Sequence, residues 1–236
     1  MSETLKPSVG WGVLHLFCKV GPETDAEAVI AAVKQTDGAG SGGPETGGDH
    51  QVVCFSVLGH KADLGFLAIG PDLVTLRRFQ TALQRAGLVV ADSYVSLTEV
   101  SEYAKGMPEE HLRARLEPKL PPDGKRAICF YPMSKRRGEA DNWYRLDFDE
   151  RKRLMIEHGT SGRRFAGRVI QLVTGSAGLD DFEWGVTLFG VHPDDLKETV
   201  YAMRFDEASA LYGEFGPFYA GVVASAEEVL RDVGLI

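Results

Sequence analysis

The sequence predicts an α+β chain made of two ferredoxin-like halves, on three observations. Apolar alternation and helical spacing run in the order strand, helix, strand, strand, helix, strand over residues 11–100. The same order recurs over residues 127–223, and a proline-rich stretch at 105–125 separates the two. The chain therefore divides into an N-terminal half at 1–104, a connecting segment at 105–125 and a C-terminal half at 126–236. The repeat is one of element order, without residue-by-residue identity between the halves.

Residues 11–20 alternate apolar side chains around His15 and read as a strand, and 24–33 place Ala, Val and Ile on one helical face. The run Asp37-Gly38-Ala39-Gly40-Ser41-Gly42-Gly43-Pro44-Glu45-Thr46-Gly47-Gly48 has no large apolar residue to pack and reads as a flexible, disordered loop. Strands at 52–58 and 64–69 follow, joined by a turn at Gly59-His60-Lys61-Ala62. The next helix has Asp72 as N-cap, Leu73, Leu76, Leu83 and Ala86 on one face, and Gly87 just past its end. A strand at 93–100 closes the first half. In the connecting segment, Pro108, Pro118, Pro121, Pro122 and Gly124 are expected to interrupt any regular element. The second half reads as a strand at 127–131, a helix near 149–157, strands at 169–174 and 182–189, a helix at 194–203 and a strand at 215–223.

An apolar fraction of 44% and a charged fraction of 25% are those of a globular protein, and 236 residues are enough to bury a sizeable core. No run approaches the roughly 18 apolar residues that a membrane span needs. The start, Met1-Ser2-Glu3-Thr4, lacks the pattern of a secretory signal, so the expected location is the cytoplasm. Cys18, Cys54 and Cys129 are odd in number, form no C-x-x-C pair and sit in apolar runs, which predicts reduced, buried thiols. A net charge of −8 argues against a general nucleic-acid binder.

In Phe130-Tyr131-Pro132-Met133-Ser134-Lys135-Arg136-Arg137 a predicted strand ends in a proline turn, and three bases follow an aromatic hydroxyl. Lys and Arg give charge-assisted hydrogen bonds to carboxylates or phosphates, so an anion is expected here; a solvated basic loop is the plainer alternative. His158 closes the predicted helix in Met155-Ile156-Glu157-His158-Gly159. An imidazole there either caps the helix C-terminus as a cation or ligates a metal as a neutral ring. No His-x-x-x-His, cysteine cluster or paired carboxylate spacing suggests zinc or di-iron, but a lone His is what a haem requires. His15, His50, His60, His111 and His192 read as surface or core residues.

Seven blocks, taken in order, carry a resemblance. They are Cys129-Phe130-Tyr131-Pro132-Met133-Ser134-Lys135-Arg136-Arg137, Asp141-Asn142-Trp143-Tyr144, Glu157-His158-Gly159, Thr174-Gly175-Ser176, residues 180–189, Met203-Arg204-Phe205-Asp206-Glu207, and Tyr212-Gly213-Glu214-Phe215-Gly216. Together they resemble the bacterial coproheme decarboxylases, of the chlorite dismutase-like superfamily of dimeric α+β barrels. The likeness is strong over the C-terminal half and weaker but consistent over the N-terminal half.

The resemblance implies an enzyme of haem synthesis that uses hydrogen peroxide to convert two propionates of Fe-coproporphyrin III (coproheme) into vinyl groups. Two carbon dioxide molecules leave through a three-propionate intermediate, haem b is the product, and the substrate is also the redox cofactor. It further implies that Tyr131 forms the radical that takes hydrogen from a propionate, that Lys135 serves the second decarboxylation, and that His158 is the proximal iron ligand. Gln171 corresponds to the distal glutamine of the Firmicutes-type enzymes, Arg204 and Ser209 to propionate contacts, and Met133 to a methionine beside a vinyl-forming position. Arg115 corresponds to another propionate-binding arginine. Coproheme has four carboxylates, and Arg115, Lys135 and Arg204 would supply cations for them. A homopentamer and transient contact with coproporphyrin ferrochelatase are implied as well.

Three rival readings are weaker. A chlorite dismutase depends on a charged distal Arg, and Gln171 stands at that position. The actinobacterial branch uses a distal His and a different loop after the tyrosine. A non-catalytic haem-binding or haem-sensing protein needs the ligand and a pocket, but neither Tyr131 nor Lys135. Glu157, Glu183 and Glu207 are the carboxylates expected to compete for the His158 ring N–H.

Overall fold

The computed structural model describes residues 4–38, 49–104, 106 and 108–236. The glycine-rich run predicted as a disordered loop lies outside these over residues 39–48. The elements of the first half are β1 (Gly12–Lys19), α1 (Ala26–Thr36), β2 (Gln51–Val57), β3 (Leu64–Gly70), α2 (Leu73–Arg85) and β4 (Val89–Thr98), and α3 (Glu109–Leu116) follows. The second half holds β5 (Ala127–Lys135), α4 (Phe148–Arg163), β6 (Val169–Gly175), β7 (Trp184–Gly190), α5 (Pro193–Met203), α6 (Glu207–Ala210), β8 (Gly213–Phe215), β9 (Tyr219–Ala224) and α7 (Ala226–Asp232).

Every ladder is antiparallel. The first half contributes the strand order β4-β1-β3-β2 and the second half β6-β7-β5-β9, so the two α+β units run on the same plan. β2 joins β9 at Cys54↔Ala224, and β4 joins β6 at Thr98↔Thr174. These two seams link the halves into one closed circuit of eight strands, with β8 added on the edge of β5.

Alternation along the strands sorts side chains onto two faces. Val13, Phe17, Val53, Phe55, Ile128, Phe130, Leu172, Phe189, Tyr219 and Val223 pack together inside the circuit. His15 lies among them, fully buried, with its ring 4.1 Å from that of Phe130. On the outside, Leu14, Leu16 and Cys18 pack under α1, α2 and α7. In the second half Cys129, Tyr131, Val186 and Leu188 face outward and pack with Leu196 of α5. All three cysteines are free and buried, and burial pushes the Cys129 thiol up to about 11.

The helix starting at Asp72 is capped as its sequence predicts, with the carboxylate accepting from Val74 N at 3.1 Å. Gly87 has φ +88, and a Cβ there would stand 2.6 Å from the Glu23 carbonyl, so a left-handed turn and a close approach both require glycine.

Four expectations are corrected. β5 does not end at a proline turn but runs to Lys135. Strand N–H and C=O groups of one residue point to the same side, and the Pro132 carbonyl accepts from Gly216 N at 2.8 Å. The missing proline N–H thus faces the 216–218 connection between β8 and β9 and costs no bond to β7. That same connection, Gly216-Pro217-Phe218, splits the expected final strand in two.

The connecting segment is not free of regular structure, because its prolines bracket α3 instead of interrupting it. Glu109 and Glu110 in the first turn and Arg113 and Arg115 in the last complement the helix dipole. Finally, α4 passes through Gly159 to Arg163, so His158 is an interior helical residue and not a cap. A glycine costs a helix about 1 kcal/mol, which the packing of α4 on α5 and α6 outweighs.

Candidate active site

Extending β5 to Lys135 puts Tyr131, Met133 and Lys135 on one outward face, two residues apart each time. Cross-strand pairing builds that face sideways. Gln171, Leu188 and Cys129 form one row; Val173, Val186 and Tyr131 form the next; Gly175, Trp184 and Met133 form the third. At about 4.8 Å per strand, Gln171 stands roughly 10 Å from Cys129 across this surface.

Tyr131 is buried, and its ring stacks on Phe218 (4.6 Å) and meets Phe215 (5.7 Å). Burial drives the phenol pKa well above its usual range, so the hydroxyl keeps its proton. Around it Val173, Phe215 and Phe218 keep 41%, 40% and 37% of their surface exposed. A buried phenol beside an open apolar platform suits a flat hydrophobic ligand.

Lys135 is also buried. Its Nζ donates to the Ala208 carbonyl at 2.7 Å and lies 4.5 Å from the Trp143 ring centroid, and burial brings its pKa down to about 8. Its backbone N–H donates to Glu183 Oε2 at 2.9 Å. The other two bases of the run are not free, since Arg137 pairs with Glu183 at 2.5 Å and Arg136 stands 3.9 Å from Glu214. Lys135 is therefore the member of the run that faces the site.

From Ala208 the chain leads directly to His158. The neighbouring Ser209 places Oγ 3.4 Å from His158 Nδ1, and Asp206, the N-cap of α6, places Oδ2 3.1 Å from the same nitrogen. The second Asp206 oxygen accepts from Ser161 Oγ at 2.5 Å, one turn along α4 from His158. Burial, and next the Lys135 charge, lower the His158 pKa against the opposing pull of Asp206, which favours a neutral ring at pH 7. Nδ1 then carries the proton toward Asp206, and Nε2, which has no hydrogen-bond partner among the described residues, is left to bind a metal. One imidazole with an oriented Nδ1–H and an unengaged Nε2, beside an apolar platform, fits a haem iron.

Asp206 is the functional residue that sequence reading missed. The three expected glutamates are engaged elsewhere or exposed: Glu183 holds Lys135 N and Arg137, Glu207 holds Arg153, and Glu157 stands 3.6 Å from Arg153. Only the turn at 204–206 between α5 and α6 brings Asp206 under the ring, and no spacing rule marks it.

The structure brings together Tyr131, Met133, Lys135, His158 and Ser209, with Gln171 on the same sheet face. Arg204 is exposed at the end of α5 with its guanidinium 5.1 Å from the Tyr201 ring. Arg115 is exposed on α3. Thr98 of β4 holds the Leu116 carbonyl at 2.7 Å and pairs with Thr174, which sets α3 at the end of β6 nearest the Met133 row.

The sequence model of the chlorite dismutase family matches residues 24–224. The coproheme decarboxylase of Staphylococcus carnosus (strain TM300) is 40% identical over 245 aligned residues, covering 96% of this chain and 97% of that protein. Among solved structures, a heme-binding protein from Thermus thermophilus superposes with a TM-score of 0.82 at 38% identity, covering 99% of this chain and 97% of the other. A chlorite dismutase from Candidatus Nitrospira defluvii in complex with imidazole gives 0.72 at 20% identity with 96% of each chain covered, a likeness of fold.

Proposed function

The chain belongs to the chlorite dismutase family, and on that premise we propose that it is a coproheme decarboxylase, converting two propionates of Fe-coproporphyrin III into vinyl groups to give haem b, with hydrogen peroxide as oxidant. The observation that carries the reading is the buried Tyr131–Lys135 pair on one face of β5, joined through α6 to His158.

Coproheme, once bound, is both the substrate and the means by which peroxide oxidises the site. Each propionate loses its carboxylate as carbon dioxide and one hydrogen from the carbon attached to the porphyrin ring, yielding two electrons and a proton. One peroxide accepts these with a further proton and becomes two waters. His158 would bind the iron through Nε2, with Asp206 holding its Nδ1–H and thereby the ring orientation. Tyr131, kept protonated by burial, gives up an electron and a proton together and can then take a hydrogen atom from a propionate. Lys135, with a pKa near pH 8, holds a propionate as a cation and can pass a proton. Met133 would pack against the bound substrate, Ser209, Arg204 and Arg115 would hold propionates, and Gln171 would add no charge to the pocket.

The same reading includes a homopentamer in the cytoplasm and a passing contact with the ferrochelatase that makes coproheme. Among the described residues no helix is long and apolar enough to cross a membrane. A haem carrier is the second reading, favoured by the Thermus protein described as heme-binding.

Mass spectrometry of coproheme incubated with the protein and titrated with peroxide separates the two. Successive losses of carbon dioxide, through a three-propionate species to haem b, are expected. Binding without either product identifies a carrier, and vigorous oxygen release on adding chlorite overturns the assignment.

A further inference from the structure

The interior of the strand circuit holds a second tyrosine that the reaction above does not use. Tyr219 opens β9 directly after Phe218, whose ring stacks on Tyr131. It is also the cross-strand partner of Phe130, the residue before Tyr131. Tyr131 and Tyr219 thus lie on opposite faces of two paired strands, one residue out of register. The Tyr219 ring is buried and stacked on Phe17 at 3.7 Å with an interplanar angle of 15°. Its hydroxyl donates to Asp92 Oδ2 at 2.5 Å.

That hydrogen bond decides what the residue can do. A phenol that loses an electron becomes a strong acid and must shed its proton at once. Tyr131 has no side-chain proton acceptor among the described residues and must release its proton to solvent, whereas Tyr219 has a carboxylate in contact. Lys61 Nζ, 5.4 Å from the Tyr219 ring centroid, would oppose a positive charge there but not a neutral radical. The other interior tyrosine, Tyr94, is bonded to the Ser176 hydroxyl, which is a poor base. The geometry selects Tyr219 over Tyr94.

Resting on the proposed peroxide chemistry, we propose that Tyr219, with Asp92 as proton acceptor, is a relief site that drains oxidising equivalents from Tyr131 when no propionate is in position to react. The oxidant is hydrogen peroxide acting through the bound haem. In the transfer, the Tyr131 phenoxyl radical takes an electron from Tyr219 and regains from the solvent the proton it released there on oxidation, restoring its O–H. Tyr219 passes its hydroxyl proton to Asp92, leaving a neutral phenoxyl radical beside a neutral carboxyl.

The test uses the full chain loaded with haem b, mixed with one equivalent of peroxide and freeze-quenched for electron paramagnetic resonance. Two tyrosyl signals in succession are expected, distinguished by their ring angles. Tyr219→Phe and Asp92→Asn should each lose the later signal, prolong the earlier one, and bleach the haem after fewer additions of peroxide. Tyr94→Phe should keep both signals, and Tyr131→Phe should lose both. A single signal in the native protein, a later signal surviving in Tyr219→Phe and Asp92→Asn, or a Tyr219 signal persisting in Tyr131→Phe overturns the relay. Carbon dioxide release from coproheme is measured on the same variants. Normal release by Tyr131→Phe would sink the functional reading itself, while its loss together with an unchanged Tyr219→Phe spectrum would sink only the relief site.

Discussion

Asp206 Oδ2 lies 3.1 Å from His158 Nδ1, although Asp206 belongs to the turn between α5 and α6 and His158 to the middle of α4. The carboxylate is nearly fully buried, at 6% side-chain exposure, and its other oxygen is held by Ser161. An acceptor held from both sides fixes which imidazole nitrogen faces away, and that nitrogen is the one the proposed function assigns to the iron.

Changing Asp206 separates orientation from charge. Asp206→Asn keeps an oxygen for the Nδ1–H but removes the anion, so bound iron should become easier to reduce while the ligand stays in place. Asp206→Ala should weaken haem affinity by about 10–100-fold. Spectroelectrochemistry and haem titration read the two effects, and a reduction potential unchanged in Asp206→Asn would remove the carboxylate from the argument.

Tyr131→Phe should bind coproheme with near-native affinity and release no carbon dioxide, since the ring packing on Phe215 and Phe218 survives and only the hydroxyl is lost. His158→Ala should instead displace the iron. Absorption spectra report binding and mass spectrometry the product, and normal turnover by Tyr131→Phe would refute the radical role.

The second decarboxylation should fall as pH rises. Burial lowers the Lys135 pKa to about 8, so the folded protein carries this cation below that pH and loses it above, well before a solvated lysine would. The three-propionate species is therefore expected to accumulate at pH 9 and not at pH 7. A ratio of intermediate to haem b that does not vary across this range would exclude Lys135 as the titrating group.

His15 makes folding sensitive to acid. Its folded pKa is lowered to about 3 by burial, against about 6.5 when unfolded. Below pH 6.5 the unfolded chain binds the extra proton, so stability drops as pH falls, by about 2 kcal/mol at pH 5. His15→Gln keeps a partner for Thr187, which lies 2.9 Å from His15 Nε2, and has no titratable ring. Denaturant unfolding at pH 7 and pH 5 should show a smaller loss in the variant, and equal losses would contradict this origin.

Arg204 and Arg115 are exposed, so alanine at either should leave thermal stability near native. Loss of a charge-assisted bond to a propionate is worth about 1.5–3 kcal/mol, which is at least tenfold in coproheme affinity. An Arg115→Ala variant with native affinity would remove Arg115 from the site.

Most of the strand and helix order, and the Asp72 and Gly87 boundaries, were legible because they depend on neighbours a few residues apart. The blocks around Tyr131, Lys135 and His158 made the family legible, as the family match over residues 24–224 bears out. What tertiary structure decided lies where distant segments meet. Pro132 stays inside a strand because β8 and β9 leave a gap opposite its nitrogen, which aligns Lys135 with Tyr131. Gly159 stays helical because α4 packs on α5 and α6. Asp206, 48 residues from His158, becomes its partner only through the turn that those helices impose. Local chemistry selects the elements, whereas a hydrogen bond over that separation exists only once the chain between has been packed.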